Sequence, residues 1–101
     1  MKVFKFGGAS IKDAPSIKNI LEIISKYEKD TLVIVVSAMG KTTNALEKVV
    51  DSYFNDKAQL QSSISDVFNF HINILNNLFE KNHFIFSELN TSFEKLGSFI
   101  K

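Results

Sequence analysis

The chain has no cysteine, no arginine, no tryptophan and a single proline among its 101 residues. Without cysteine there is no disulfide, no thiolate zinc site and no thiol nucleophile. Its two histidines, His71 and His83, are too few and too far apart in sequence to build a metal cluster, so no metal ligand set is expected. All 12 basic residues are lysine. The planar, two-pronged guanidinium that usually grips a carboxylate is therefore missing, and any such clamp must lie outside this stretch. The lysines are spread along the chain and nearly balanced by 11 acids, giving a net charge of +1. No basic cluster is present to neutralise a phosphodiester backbone, and nucleic acid is not an expected partner. The N-terminal MKVFKFGGAS lacks the apolar core of a signal peptide, and no apolar run approaches the roughly 20 residues needed to cross a bilayer. No membrane partner is expected, and the cytoplasm is the expected compartment.

What is present reads as a folded chain. The sequence is 45% hydrophobic and 23% charged, a globular balance rather than that of a disordered tail. A chain of about 100 residues buries roughly 60 to 70% of its unfolded surface, which leaves room for one domain at most.

Residues 2–6 (KVFKF) are short, apolar and aromatic and stop at Gly7-Gly8, the pattern of a strand running into a turn. Ile17, Ile20, Leu21, Ile24 and Tyr27 then recur with the spacing of one helix face. With Asp13 as N-cap and Pro15 tolerated in the first turn, they predict a helix over about 14–28. Thr31 to Val36 (TLVIVV) is an unbroken β-branched and leucine run, suited to a strand buried on both faces of a parallel sheet. A helical pattern follows through Leu46, Val49, Val50, Tyr53 and Phe54, with Asn44 and Glu47 spaced as a capping pair. The spacing of Leu60, Ile64, Val67, His71, Ile74 and Leu78 predicts a long helix over 59–80, with His71 packed and hydrogen-bonded on its inner seam. After a polar break at Asn82-His83, where His83 is expected to be solvated, Ile85, Leu89, Phe93, Leu96 and Ile100 predict a return helix and hence a helical hairpin.

The fold class is therefore α/β, with two parallel strands, about four helices and a helical C-terminal half. Two hydrophobic parallel strands leave unpaired edges that natural domains cover or extend. The chain, ending at Lys101, is accordingly expected to be the N-terminal fragment of a larger α/β domain, or to complete its sheet with a second copy.

Two loops follow the predicted strands, where open α/β sheets place their ligands. In Lys5-Phe6-Gly7-Gly8-Ala9-Ser10, glycines let backbone amides approach phosphate oxygens, the helix that follows adds positive potential, and Lys5 can stabilise charge on a transferring phosphoryl group. The same residues also suit a plain tight turn with Lys5 reaching into solvent. In Ser37-Ala38-Met39-Gly40-Lys41-Thr42-Thr43-Asn44, small and hydroxyl-bearing residues behind a strand can hold a small polar ligand. They equally suit ordinary helix capping by Thr43 or Asn44.

Together, KFGGAS and VVSAMGKTTNAL closely resemble the N-terminal pattern of the aspartokinases, members of the amino-acid kinase family. The resemblance is specific over about residues 2–50 and general beyond. Kinases of acetylglutamate, glutamate, carbamate and uridylate share the lysine and glycines but not the Thr-Thr-Asn continuation, which favours aspartate as substrate. The resemblance implies the N-terminal part of a carbamate-kinase-like three-layer sandwich. It implies Lys5 as the catalytic lysine bridging the nucleotide phosphates, and Lys5, Phe6, Gly7, Gly8 and Ser10 as the ATP-binding loop. Ser37, Ala38 and Thr43 would line the aspartate pocket. Ala9 departs from the family's usual threonine and removes a hydroxyl beside the phosphates.

The reaction so implied transfers the γ-phosphoryl of MgATP to the side-chain carboxylate of L-aspartate, giving 4-phospho-L-aspartate, the entry step to lysine, threonine and methionine synthesis. The family also uses a Gly-Glu motif, a later segment with arginine and aspartate, an adenine-binding region and regulatory ACT domains. None occurs in this sequence, and neither Glu80 nor Glu88 follows a glycine. The isolated chain is therefore expected to be inactive, its parent homo-oligomeric, and fusion to homoserine dehydrogenase stays open. Two other readings stand beside this one: a non-catalytic helical module for self-association, and a kinase of another small carboxylate.

Overall fold

The computed structural model describes residues 1–100; Lys101, where the sequence places the fragment boundary, lies outside the described residues. The element order is β1 (Lys2–Phe6), a 3-10 turn (Gly8–Ile11), α1 (Ala14–Ser25), β2 (Leu32–Val36), α2 (Thr42–Asn55), a 3-10 turn (Lys57–Gln59), α3 (Leu60–Leu78) and α4 (Ile85–Phe99). This is the α/β arrangement expected above, with two parallel strands, four helices and a helical second half. The chain divides into two compact units, Met1–Thr43 and the residues from Asn44 onward. Each unit has its own small apolar cluster.

In the first unit, β1 and β2 pair in parallel, with Lys2 opposite Leu32 and Phe6 opposite Val36. The Asp13 carboxylate accepts the Ser16 amide at 2.8 Å and caps α1, with Pro15 in the first turn where a missing N–H costs nothing. Phe6, Ile11 and Ile20 are buried together, and Phe4, Ile17, Ile23, Ile24 and Met39 pack around them. Burying each large apolar side chain contributes about 1.5 to 3 kcal/mol, enough to hold one helix on one face of the sheet.

Three expectations for this unit need correction. The helix ends at Ser25 rather than near residue 28, because the Lys26 and Tyr27 amides close onto the Ile23 and Ile24 carbonyls as tight turns. Tyr27 still packs on Phe4, with ring centroids 5.1 Å apart. Leu21 is 59% exposed and Ile23 takes the inward place assigned to it, because the buried face is centred on Ile20. Finally, β2 is not buried on both faces: Val33 to Val36 are 43 to 59% exposed. With two strands and one helix on one face, this unit supplies neither a helical layer for the other face nor an outer neighbour for β2.

In the second unit, Val49 of α2 and Leu60 and Val67 of α3 form the buried cluster, joined by Ala45, Tyr53, Ile64, Phe93 and Ile100. The inward face of α2 thus runs through Ala45, Val49, Ser52 and Tyr53, whereas Leu46, Val50 and Phe54 are exposed against expectation. The buried Ser52 hydroxyl explains the shift, since it lies 2.9 Å from the Ser63 hydroxyl and joins α2 to α3. The helix also begins at Thr42, so Asn44 lies inside its first turn and is not the cap. α3 is shorter than the expected 59–80, because the preceding residues tighten into a 3-10 turn and Phe79 leaves the helix with extended backbone. α3 and α4 form the expected hairpin, with Phe93 edge-on to Phe68 at 5.2 Å.

His71 is packed as expected: Nδ1 donates to the Val67 carbonyl at 2.8 Å, and the ring lies 6.4 Å from Phe93. His83 is not solvated. It is half-buried, its ring is 4.5 Å from both Phe79 and Phe84, and its Nδ1 accepts the Ile85 amide at 3.0 Å. The imidazole nitrogen thus satisfies a first-turn donor of α4. Among the described residues no helix is long and apolar enough to cross a membrane.

Candidate functional site

The candidate ligand residues all fall in the first unit, on the two loops that leave β1 and β2 at the same end. Parallel pairing dictates this, because both strands point the same way and the last register pair is Phe6 with Val36. The Ser37 amide then donates to the Phe6 carbonyl at 3.1 Å, carrying the ladder one step into the second loop.

The first loop contains a short 3-10 turn. Gly7 precedes it in extended conformation, and the Ser10 amide donates to the Gly7 carbonyl at 3.0 Å. A Cβ placed on Gly7 would find nothing within 4 Å, so this side of the loop is open. A Cβ on Gly8 would lie 2.7 Å from the Gly40 carbonyl oxygen, so this side is closed against the second loop. Lys5, in register with Val35, is exposed. Strand alternation puts it on the face opposite the Phe4 and Phe6 rings that pack toward Ile20. Phe6 itself is only 8% exposed. Its ring is a core element, and its contribution to a ligand loop is confined to its backbone.

One element of the expected phosphate cradle is different. Lys12 and Asp13 separate the 3-10 turn from α1, and the Asp13 carboxylate already occupies the α1 N-terminus. The helix therefore does not present a free positive end to the glycine loop. Hydrogen bonding from Ser16, by its side chain and then its backbone amide, holds the Asp13 carboxyl below its usual value, and Lys12 adds a smaller pull. Ser10 lines a cleft of about 470 Å³ beside α1, together with Lys12, Ser16 and Asn19.

In the second loop, Ser37, Ala38 and Thr43 are all exposed, as a ligand-facing set requires. The Ser37 hydroxyl donates to the Ala38 carbonyl at 2.9 Å. Met39 turns inward onto the Phe6 cluster and anchors the loop. Gly40 has φ of 57°, in the left-handed region. The buried Thr42 donates both its amide, at 3.1 Å, and its hydroxyl to the Met39 carbonyl. Thr42 thereby closes the turn that precedes α2, and no side-chain cap from Thr43 or Asn44 accompanies it. Sequence reasoning missed Gly40 and Thr42 as the residues that shape this loop; a glycine and a threonine directly after a predicted strand were the available signals.

The structure therefore brings Gly8 against Ala38 and Gly40, and Phe6 against Ser37. Lys5 sits one residue behind Phe6, at the root of the same pair of loops. Exposed hydroxyls, an open glycine and a lysine at the ends of two parallel strands form a polar, cationic rim that can receive an anion beside a small polar molecule. No group of three or more His, Cys, Asp or Glu residues able to hold a metal ion occurs among the described residues.

Comparison with known proteins gives this rim a context. The model of the amino acid kinase family matches residues 1–92. Aspartokinase 1, chloroplastic, of Arabidopsis thaliana is 35% identical over 80 residues, 75% of this chain and 14% of that relative. Aspartokinase 2, chloroplastic, of the same plant is 48% identical over 46 residues, 46% of the chain and 8% of the relative. A bifunctional aspartokinase/homoserine dehydrogenase of Buchnera aphidicola subsp. Acyrthosiphon pisum (strain APS) is 30% identical over 78 residues, 76% of the chain and 9% of the relative. The chain spans between 8 and 14% of the length of these curated relatives.

Proposed function

Because the chain belongs to the amino acid kinase family, we propose that its parent protein is an aspartate kinase that transfers the γ-phosphoryl group of MgATP to the side-chain carboxylate of L-aspartate. The bond from the γ-phosphorus to the β,γ-bridging oxygen breaks as a carboxylate oxygen bonds to that phosphorus. The products are ADP and 4-phospho-L-aspartate. The observation that carries the reading is the direct contact between the KFGGAS and SAMGKTTN loops at the ends of paired parallel strands. Relatives named aspartokinases match most of the chain.

Each residue has a role in this proposal. Lys5 supplies positive charge to the phosphates and the transferring group, and its exposed position at the loop root supports that. The open face of Gly7 admits phosphate oxygens close to backbone, Gly8 holds the loop against its neighbour, and the Ser10 hydroxyl is available at the rim. Phe6 serves through its backbone only. Ser37, Ala38 and Thr43 present hydroxyls and backbone to the aspartate. Catalysis is then positioning and charge neutralisation, with no covalent intermediate on the protein. Residues completing the carboxylate clamp belong to the remainder of the parent, so the chain alone is inactive in this account.

A substrate panel on the full-length parent tests the acceptor. With MgATP and hydroxylamine to trap acyl phosphates, L-aspartate should give hydroxamate well above L-glutamate and N-acetyl-L-glutamate. Preference for another carboxylate would replace aspartate with that acceptor, and no acyl phosphate from any would overturn the kinase assignment.

One observation favours self-association as an additional property. Phe54 and Phe99 are 75 and 84% exposed and border an apolar groove of about 230 Å³ with Val49, Val50, Tyr53 and Ile100. Light scattering on the chain tests it: an oligomer that Phe99→Ser converts to monomer supports the reading, and a monomeric wild type removes it.

A further inference from the structure

Two glycines let the two loops come close together. An ideal Cβ on Gly8 would stand 2.7 Å from the Gly40 carbonyl oxygen and 3.6 Å from both the Gly40 carbonyl carbon and the Ala38 carbonyl oxygen. Side-chain carbons do not sit that close to backbone oxygen, so the contact exists only because residue 8 has no side chain. Gly7, its neighbour in sequence, has open space in the same test. The other half of the contact is equally specific. Gly40 is the one described residue with positive φ, at 57°. Most L residues avoid that region because Cβ crowds the following carbonyl. The turn it makes ends where the Thr42 amide closes onto the Met39 carbonyl and the Met39 side chain enters the core. The Gly40 carbonyl is thus aimed at Gly8 by a turn anchored on both sides.

We infer that Gly40 is a positioning residue: its left-handed turn seats its carbonyl against the bare Cα of Gly8 and sets the separation between the loop beginning at Gly7 and the loop beginning at Ser37. The purpose of that separation rests on the kinase reading above, in which the first loop holds the phosphoryl donor and the second its acceptor. In-line transfer is sensitive to such spacing, since a misplacement of about 1 Å can cost roughly a hundredfold in rate. Gly40 itself need touch neither ligand; it acts through Gly8.

The Thr42 amide reports on the lock without any assay of activity, because its hydrogen bond closes the Gly40 turn. In the 101-residue chain, Gly8→Ala should speed hydrogen exchange at Thr42 by about tenfold or more, within the range for residues in direct contact. Gly7→Ala should leave that exchange unchanged. Equal behaviour of the two variants overturns the lock. Should Gly8→Ala fail to fold, as judged by circular dichroism, a second pair decides in the same measurement. Gly40→Asn, which tolerates positive φ, should preserve Thr42 protection, and Gly40→Val should lose it; identical exchange in these two overturns the inference.

In the full-length parent, Gly40→Val should lower kcat by about a hundredfold while KM for MgATP and L-aspartate stays within about threefold, with Gly40→Asn recovering most of the rate. A raised KM with unchanged kcat would make Gly40 a binding residue and contradict a positioning role. If the wild-type parent phosphorylates no carboxylate, the kinase reading falls, while the Thr42 exchange experiment still decides the lock.

Discussion

The Ser37 amide donates to the Phe6 carbonyl at 3.1 Å, so the last bond of the parallel ladder is also the first bond of the second ligand loop. The two loops start side by side because the sheet delivers them there. The same residue that offers this carbonyl sends its ring into the core.

Phe6 therefore has a structural consequence that a ligand role would not give it. Phe6→Ala should destabilise the chain by about 3 to 5 kcal/mol, a large part of the total for a small domain. Urea denaturation followed by circular dichroism measures this. A midpoint unchanged from wild type would mean that the ring is not in the core.

Gly97 gives a prediction of opposite sign. It lies within α4, is exposed, and a methyl group added at its Cα would meet nothing within 4 Å. Gly97→Ala should stabilise by about 0.5 to 1 kcal/mol, since alanine loses less backbone entropy in a helix. A shift of the denaturation midpoint to higher urea at constant slope is the expected result; a lower midpoint would show that the site is crowded.

Asp13 sets a dependence on acid. Its carboxyl is held below the usual aspartate range by the Ser16 hydrogen bonds. A group with a lowered folded-state pKa contributes stability that is present above its unfolded value and lost as pH falls through the folded one. The thermal midpoint should therefore fall on acidification below the usual carboxylate range. Asp13→Asn, which keeps an acceptor at the cap but does not titrate, should flatten that part of the profile, and Asp13→Ala should lower the midpoint at neutral pH. Indistinguishable profiles for wild type and Asp13→Asn would remove the cap from the account.

The two histidines differ in what their Nδ1 atoms must do. His71 Nδ1 faces the Val67 carbonyl and must carry a hydrogen, whereas His83 Nδ1 faces the Ile85 amide and must offer a lone pair. Imidazole nitrogen shifts at neutral pH should show a protonated Nδ1 in His71 and a bare Nδ1 in His83. His83→Ala should cost about 0.5 to 1.5 kcal/mol, the usual net worth of one hydrogen bond, and His83→Asn less. A protonated Nδ1 at His83 would contradict the observed bond.

Much of this fold was legible because its signals are local. The strand over 2–6, the Asp13 cap with Pro15 behind it, and the Leu60 to Leu78 seam all follow from spacing and from the chemistry of single residues. What the sequence concealed depends on partners distant along the chain. Nothing in TLVIVV reveals that β2 gains only one neighbouring strand in this unit, and nothing in the α2 pattern favours Ser52 over Val50 until Ser63 is beside it. In the site, the residue types were legible as a Lys-Gly-Gly loop and a Ser-Ala loop. The contact between Gly8 and Gly40 was not, because a missing side chain leaves no pattern. His83 was misread as solvated although Phe79 and Phe84 are close by in sequence, because only the geometry of the turn brings both rings onto the imidazole.

The central claim is that these loops belong to an aspartate kinase in which Lys5 neutralises the transferring phosphoryl group. Its most direct test is the rate of L-aspartate-dependent ADP formation from MgATP by the full-length parent and by its Lys5→Ala variant. The account predicts robust turnover in the wild type and a loss of about a hundred- to a thousandfold in kcat in the variant, the range for removing one electrostatic donor to a transition state. Circular dichroism should be unchanged, since Lys5 is exposed. Wild-type turnover that does not depend on L-aspartate, or a folded Lys5→Ala variant as active as wild type, would contradict it.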